Sequence, residues 1–291
     1  MPFSSSLRRL SDHAPEAYAR RNMPLTVIQG GFGDGPEPER EPACAPVDLW
    51  LELAEPSLRL RITTRLAGLT SAARDRALAE LEPIAAAGLL GEDDIVRAIS
   101  PATPAGLAVA VCRLAGTVGD AQSVGPRLQR VLADASCARV RVHAAQALAR
   151  LASPQARGAL AEALMRDDDE EVRARAARGL GQLGDHRAVP LLGATLANRG
   201  EVPAVRGEAA EALGVIGRRS SAALLVRALR DDEPDVRGGA AIALSMVGGL
   251  EVIPALRGLE ADDAMTSDLG PVGDCARAAI TDIRRRAMLT G

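Results

Sequence analysis

The chain has 291 residues, 47% of them apolar and 25% charged, with a formal net charge of −3. That balance suits a globular fold and argues against nucleic-acid binding driven by counterion release. All 35 basic residues are Arg, and every aromatic (Phe3, Tyr18, Phe32, Trp50) falls within the first 50 positions. Without Lys there is no P-loop lysine, no Schiff base for pyridoxal phosphate and no kinase-type ATP lysine. Without rings beyond Trp50 there is no aromatic platform there for stacking bases.

The first segment, MPFSSSLRRLSDHAPEAYARRN, has no continuous apolar run of signal-peptide length. TVIQGGFGDG contains glycines but no Lys and no clear helix after it, so it reads as a flexible turn rather than a phosphate loop. GDGPEPEREPACAP, residues 33–46, is Pro, Gly and charge, the composition of an extended or disordered linker. Residues 1–46 are therefore expected to form a flexible tail and linker. No later stretch approaches the ~20 apolar residues of a membrane span. Cys44, Cys112, Cys137 and Cys275 form no CxxC pair, which excludes a disulfide scaffold and a zinc site and favours a reducing cytoplasm. Cys112 and Cys275 fit helices as small buried apolar residues.

From residue 47 the pattern turns helical. LWLELAE, LRLRITTRLAGL and SAARDRALAELEPIAAAGLL read as divergent helices forming a cap over 47–103. Four segments further along can be laid over one another: VRVHAAQALARLA, VRARAARGLGQLG, VRGEAAEALGVIG and VRGGAAIALSMVG, which start at Val140, Val172, Val205 and Val236. A looser copy, VGDCARAAITDIR, starts at Val272, and GLAVAVCRLAGTVGD (106–120) is a degenerate copy upstream. A period of about 30 residues, with a second apolar segment such as AVPLLGATLA between copies, makes the unit a pair of short helices. Counting each Val as position 0, positions 0, 4, 8 and 11 are nearly always aliphatic or Ala, a single buried stripe. Small residues at positions 5 and 7 let neighbouring helices approach, which builds a core without aromatics.

The helix ends carry signals too. Gly184, Gly217 and Gly248 stand where a left-handed C-cap is expected. DDDEE (167–171) and DDEPD (231–235) place carboxylates before the next helix, and Pro234 suits its first turn. Asp120 and Asp185 are expected to cap the helices after them. The loop DDAMTSDLGP (262–271) lengthens the last repeat and is expected to be mobile.

The string DDEPDVRGGAAIALSMVGG, preceded by AALLVRAL, resembles a HEAT repeat of the short bacterial type named after phycobilisome lyases (PBS lyase HEAT-like). The resemblance covers roughly residues 104–286. It implies an all-α fold, a right-handed α-α superhelix or HEAT-like α-solenoid, with repeats over 104–291. It also implies a ladder in which an Asp at the turn meets an Arg at the start of the second helix. The matching pairs are Asp167 with Arg173 and Asp231 with Arg237, and the ladder is expected to break at the Val205 copy, where Gly200 replaces Asp.

The chain shows no GxSxG elbow, HExxH helix or EF-hand loop. Deoxyhypusine hydroxylases share this kind of fold but build an iron site from His-Glu pairs, and no such pair occurs here. No catalytic residue, metal or cofactor is expected. There remains the second-helix surface, which in HEAT proteins lines the concave side. Its positions 3, 6 and 10 vary from copy to copy: His143, Gln146, Arg150; Arg175, Arg178, Gln182; Glu208, Glu211, Val215; Gly239, Ile242, Met246. The expectation is a non-enzymatic scaffold or adaptor that docks a protein partner on this surface through His143, Arg150, Arg175, Arg178, Glu208, Glu211, Val215, Ile242 and Met246. Arg175 and Arg178 would grip an acidic part, and Ile242 with Met246 would take an apolar anchor. Pairing of Arg175 and Arg178 with Glu208 and Glu211 of the next repeat is the structural alternative. The resemblance offers a second function, a chromophore-lyase-like subunit that handles a bilin. Neither nucleic acid nor membrane insertion is expected.

Overall fold

A computed structural model of the protein describes residues 47–153 and 155–290. The tail and linker expected over 1–46 lie outside the described residues. Fifteen α-helices run through the described residues, packed as neighbouring pairs in the manner of an α-solenoid. The described residues hold no strand, only an isolated antiparallel bridge between Met265 and Pro271. They divide between Ala147 and Leu148 into two compact units.

The first unit contains α1 (Val47–Leu53), α2 (Pro56–Ala67), α3 (Ser71–Ala86), α4 (Glu92–Ala98), α5 (Ala105–Val118), α6 (Ala121–Asp134) and most of α7 (Ala138–Arg150). Here α3 packs against α1, α2 and α5, around Leu58, Ile84, Val111 and Leu128, which have no exposed surface. Asp120 caps α6 as expected, accepting from the amides of Gln122 and Ser123 at 3.0 Å each.

The second unit pairs α8 (Ala156–Arg166) with α9 (Glu170–Leu183), α10 (Val189–Ala197) with α11 (Pro203–Ile216), α12 (Ala222–Ala228) with α13 (Pro234–Val247), and α14 (Ile253–Arg257) with α15 (Val272–Thr290). The second helices α9, α11, α13 and α15 also pack on one another in that order. Positions 0, 4 and 8 form the core of every copy, for instance Val172, Ala176 and Leu180 or Val205, Ala209 and Leu213, all without exposed surface. Burial of a Leu at position 8 contributes ~1.5–3 kcal/mol relative to leaving it in water.

The spacing between second helices is set by glycine. A Cβ placed on Gly181 would lie 2.8 Å from the Cα of Ala212, and one on Gly214 would lie 2.6 Å from the Cα of Ala243. Position 9 of one copy thus meets position 7 of the next at a distance that admits no side chain on the first. The same junction runs in reverse at the preceding step, where Ala149 occupies position 9 and Gly179 position 7.

Helix ends follow the sequence in part. Asp169 caps α9 through the amides of Glu171 and Val172, and Gly184 and Gly217 adopt φ of +66° and +75°. Gly248 does not turn left-handed: its φ is −77° and ψ 155°. Instead Arg286 of α15 donates to the carbonyl oxygens of Ser245, Met246 and Gly248, which would otherwise be orphaned at the end of α13. The loop 262–271 is tied back to α13 and to itself by hydrogen bonds. The Asp235 carboxylate accepts from the amide (2.6 Å) and hydroxyl (2.8 Å) of Ser267, and Thr266 Oγ1 donates to Gly270 O at 2.9 Å. Thr266 and Leu269 then lie over Gly238, where a Cβ would clash.

Candidate functional site

In the copies that start at Val140, Val172, Val205 and Val236, an Arg at position 1 holds the second helix in place. Arg141 Nη1 donates to Ala135 O (3.0 Å), Arg173 Nη1 to Asp167 O (2.9 Å) and Arg237 Nη1 to Asp231 O and Asp232 O (2.8 Å each). Each of these carbonyls lies just before the second helix, so the Arg fixes the turn between the two helices of its own repeat. The remaining donors point forward. Arg173 forks onto both Glu201 oxygens at 3.0 and 2.8 Å, Arg206 pairs with Asp231, and Arg237 Nε donates to Asp262 at 2.8 Å.

The ladder expected from the sequence therefore exists with a different connectivity. Arg173 reaches the backbone of Asp167, while its carboxylate partner is Glu201 of the following repeat. There is no break at the Val205 copy, because Glu201 supplies the acid that Gly200 lacks and Arg206 passes the ladder on to Asp231. Each acid also accepts a turn amide: Glu201 from Val202 (2.9 Å), Asp231 from Glu233 (3.1 Å) and Asp262 from Ala264 (3.1 Å). The hydrogen bond from Arg237 holds the Asp262 carboxyl below the usual carboxylate range. Burial alone would raise Glu201, yet the Arg173 fork and the Val202 amide hold it low. The Arg187 side chain beside Asp185 lowers that carboxyl to about 2, and Arg157 lies 3.1 Å from it. Asp185 accepts the Arg187 amide at 3.0 Å, capping the turn that leads into α10 as expected.

Against this frame the candidate docking residues separate. Arg178 forks onto Glu208, with Nε to Oε2 at 2.9 Å, so position 6 of α9 meets position 3 of α11. Arg175 pairs with Glu171 on its own helix at 3.3 Å. Within the first unit, His143 Nδ1 lies 3.2 Å from Gln146 Oε1. Arg150 is exposed at the end of α7; Gln182, Val215 and Met246 are half-buried. Glu208 and Glu211 keep only 6% and 5% of their surface, and Ile242 keeps none.

Two expectations are corrected here. Ile242 is a core residue, not an exposed anchor, and Arg178 is a pairing partner of Glu208 rather than an open grip for an acidic segment. Helical spacing gives the angle of a side chain but not the number of neighbours. A second helix in this stack is flanked by two others and backed by a third, so burial extends well beyond one stripe.

Some features left no readable signal. Arg286 sits in the run Arg284–Arg286, and only the fold directs it to the end of α13. Thr281, Arg284, Arg285, Met288 and Leu289 line an open groove on α15, with Met288 and Leu289 strongly exposed. Cys112 and Cys275 are buried as expected, and loss of solvation pushes their thiols up to about 12 and about 11. Among the described residues, no group of three or more His, Cys, Asp or Glu is arranged to hold a metal ion, and no helix is long and apolar enough to cross a membrane.

A family model described as HEAT repeats matches residues 125–202 and 194–266. No curated relative matches the chain. Among solved structures, the complex of CpcE and CpcF of phycocyanin lyase from Nostoc sp. is similar with a TM-score of 0.42 and 20% identity, covering 89% of this chain and 99% of that one. Human deoxyhypusine hydroxylase in complex with glycerol gives a TM-score of 0.39 and 23% identity over 69% of this chain and 95% of that one. An engineered protein gives 0.41 and 21%, over 81% and 68%.

Proposed function

We propose that this chain, whose residues 125–266 are HEAT repeats, is a non-enzymatic scaffold or adaptor that docks a protein partner along its second-helix row. The observation that supports this reading is the contrast between two sets of positions on the same helices. Positions 0, 4 and 8 repeat the same aliphatic and Ala core from copy to copy. The side chains that keep access to solvent on the row do not repeat: Arg150, then Arg175 and Gln182, then Val215, then Met246. A surface whose only task were solvation would have no need to run from guanidinium to thioether along a fixed scaffold. The row offers Arg150 and Arg175 to carboxylates and Val215 with Met246 to an apolar side chain.

The test compares what the full chain and a surface variant, Arg175→Glu with Met246→Glu, retain from the same cell extract. Arg178 and Ile242 are left intact because Arg178 is held by the buried Glu208 of the next repeat and Ile242 is core, whereas the partner of Arg175, Glu171, is exposed on the same helix. A protein retained by the wild type and lost with the variant, at equal helicity by circular dichroism, supports the docking row. An identical set retained by both removes it.

A further inference from the structure

The side of a second helix that receives the next one is marked by particular positions. Position 9 of α9 and α11 (Gly181, Gly214) meets Ala212 and Ala243, and position 2 of α11, Gly207, lies against the backbone of Asp235. On α15, which starts its copy at Val272, these positions hold Thr281 and Asp274, and position 5, Ala in the four clear copies, is Arg277. α15 packs on α13 and α14, and no further second helix among the described residues covers its other side. That side runs Asp274, Ala278, Thr281, Arg285, Met288, in steps of four and three that keep the five residues on one face, and all five are exposed. Met288 keeps 81% of its surface, and Leu289 beside it is also strongly exposed.

Both charges on this seam are accessible. Asp274 pairs through Oδ1 with Arg277 and Arg285 Nη2 lies 2.7 Å from Asp282 Oδ1, each one turn away on the same helix, yet Asp274 keeps 61% and Arg285 66% of its side-chain surface. Exposed pairs of this kind contribute only ~0–1 kcal/mol and do not hold their partners from a better one. A further helix stacked in the same direction would meet Asp274, Arg277 and Thr281 where the α9–α11 and α11–α13 junctions have only Ala or Gly. Two copies of α15 laid parallel and in register would set Asp274 against Asp274 and Arg285 against Arg285. Laid antiparallel about a two-fold axis between Ala279 and Ile280, they set Asp274 opposite Arg285, Ala278 opposite Thr281 and Met288 opposite Pro271. The two small residues then fall at the centre, where the helices come closest. Pro271 is bridged to Met265, itself strongly exposed, so Met288 meets an apolar surface.

We propose that a second copy of this chain docks antiparallel on the open side of α15, with Asp274 of each copy on Arg285 of the other and Met288 of each against Met265 and Pro271 of the other. The contact is self-complementary, so it closes at two chains and holds every charge pair twice. A partner of one charge sign has no match on a seam with one Asp and one Arg. The seam is short, which places the dimer among small, reversible interfaces that form at micromolar concentration. One particle then carries two second-helix rows. This goes beyond the docking reading and stands or falls without it, since no other protein enters the test.

The experiment is a charge exchange on the full chain Met1–Gly291, read by sedimentation velocity over a concentration series. The wild type should pass from one chain to two as concentration rises. Asp274→Arg and Arg285→Asp should each remain a monomer, because the two-fold sets like charges opposite each other in two places. The double variant, Asp274→Arg with Arg285→Asp, should regain the dimer at helicity equal to the wild type by circular dichroism. A wild type that stays monomeric up to near-millimolar protein overturns the proposal, as does a dimer that survives either single change or one that the double variant fails to regain at full helicity. Should the double variant lose helicity, a disulfide test decides, in a background where Cys44 and Cys137 are Ser. Chains carrying Ala278→Cys mixed with chains carrying Thr281→Cys should form a disulfide-linked dimer under mild oxidation far faster than either chain alone. Equal rates in the mixture and the separate chains would overturn the register, and with it the proposal.

Discussion

Arg237 and Asp262 lie on consecutive repeats, 25 residues apart, and are joined by a 2.8 Å hydrogen bond from Nε to Oδ2. The same guanidinium holds the carbonyls of Asp231 and Asp232 behind it, so one side chain fixes the turn within its repeat and the step to the next. Both partners are largely shielded, with 14% and 19% of their side-chain surface exposed. Arg237→Met should therefore cost about 2–3 kcal/mol, the range for hydrogen bonds to charged groups left unmade. Arg237→Lys should recover only part of it, because an ammonium cannot serve three acceptors from one planar fork. Urea unfolding of the two variants checks this. A loss below about 0.5 kcal/mol for Arg237→Met would mean that the ladder is no stronger than an exposed ion pair.

The ladder acids, together with Asp185 beside Arg187, set the acid limb of stability. Asp262, Glu201 and Asp185 all titrate below their ordinary range when folded. A carboxyl with a lowered folded pKa contributes stability above its unfolded pKa and loses that contribution as pH falls through the folded value. Stability should hold at neutral pH, decline below about pH 4 and continue falling toward Asp185's value of about 2. Arg237→Met should show a shallower decline over this window, since Asp262 then has no depressed pKa to lose. Denaturant midpoints measured from neutral to acid for both chains decide it, and parallel curves would remove Asp262 from the account.

Much of this was legible in the sequence, and the boundary has a physical cause. The Val-to-Val period and the stripe at positions 0, 4 and 8 follow from helix geometry alone, and Val205, Ala209 and Leu213 are as buried as that pattern requires. The Arg at position 1 was legible as a ladder residue, but not its forward partner: Glu201 and Asp262 lie 28 and 25 residues on, at a distance only the stacking fixes. Gly248 carried the same C-cap signal as Gly184 and Gly217, and a tertiary contact from Arg286 overrode it. The docking residues were the least legible. Positions 3 and 6 face away from the stripe on one helix, yet Glu208 and Ile242 are buried because their helices have neighbours on both sides.

The glycine junctions invert a familiar rule. Within a helix, Gly→Ala ordinarily gains about 0.5–1 kcal/mol. At Gly181 and Gly214 the new methyl would sit 2.8 and 2.6 Å from the Cα of Ala212 and Ala243, so two backbones must separate. Each substitution should destabilise by about 1–3 kcal/mol, as overpacking does. Gly158, exposed on α8 with nothing near its Cβ position, should gain the ordinary amount. Thermal melts of Gly181→Ala, Gly214→Ala and Gly158→Ala check the sign. A stabilised Gly214→Ala would show that the helices are not held at this spacing.

Coupling between stacked pairs can be read through Cys275. This thiol lies on α15, is 3% exposed and has its pKa pushed up to about 11, so in the native chain it should label slowly. Leu213 is fully buried on α11, with α13 between it and α15. Leu213→Asp places a carboxylate in an Ala-lined core, a cost of several kcal/mol that unfolds the pair it belongs to. Because each pair is stabilised mainly by its neighbours, α13 loses one flank and the disturbance should pass to α15. The expected result is a rise of about tenfold or more in Cys275 labelling, measured in a background where Cys44 and Cys137 are Ser. The tenfold figure corresponds to about 1.4 kcal/mol of lost protection. An unchanged Cys275 rate alongside lost helicity in α9–α11 would confine the cooperative unit to fewer repeats than the continuous ladder joins.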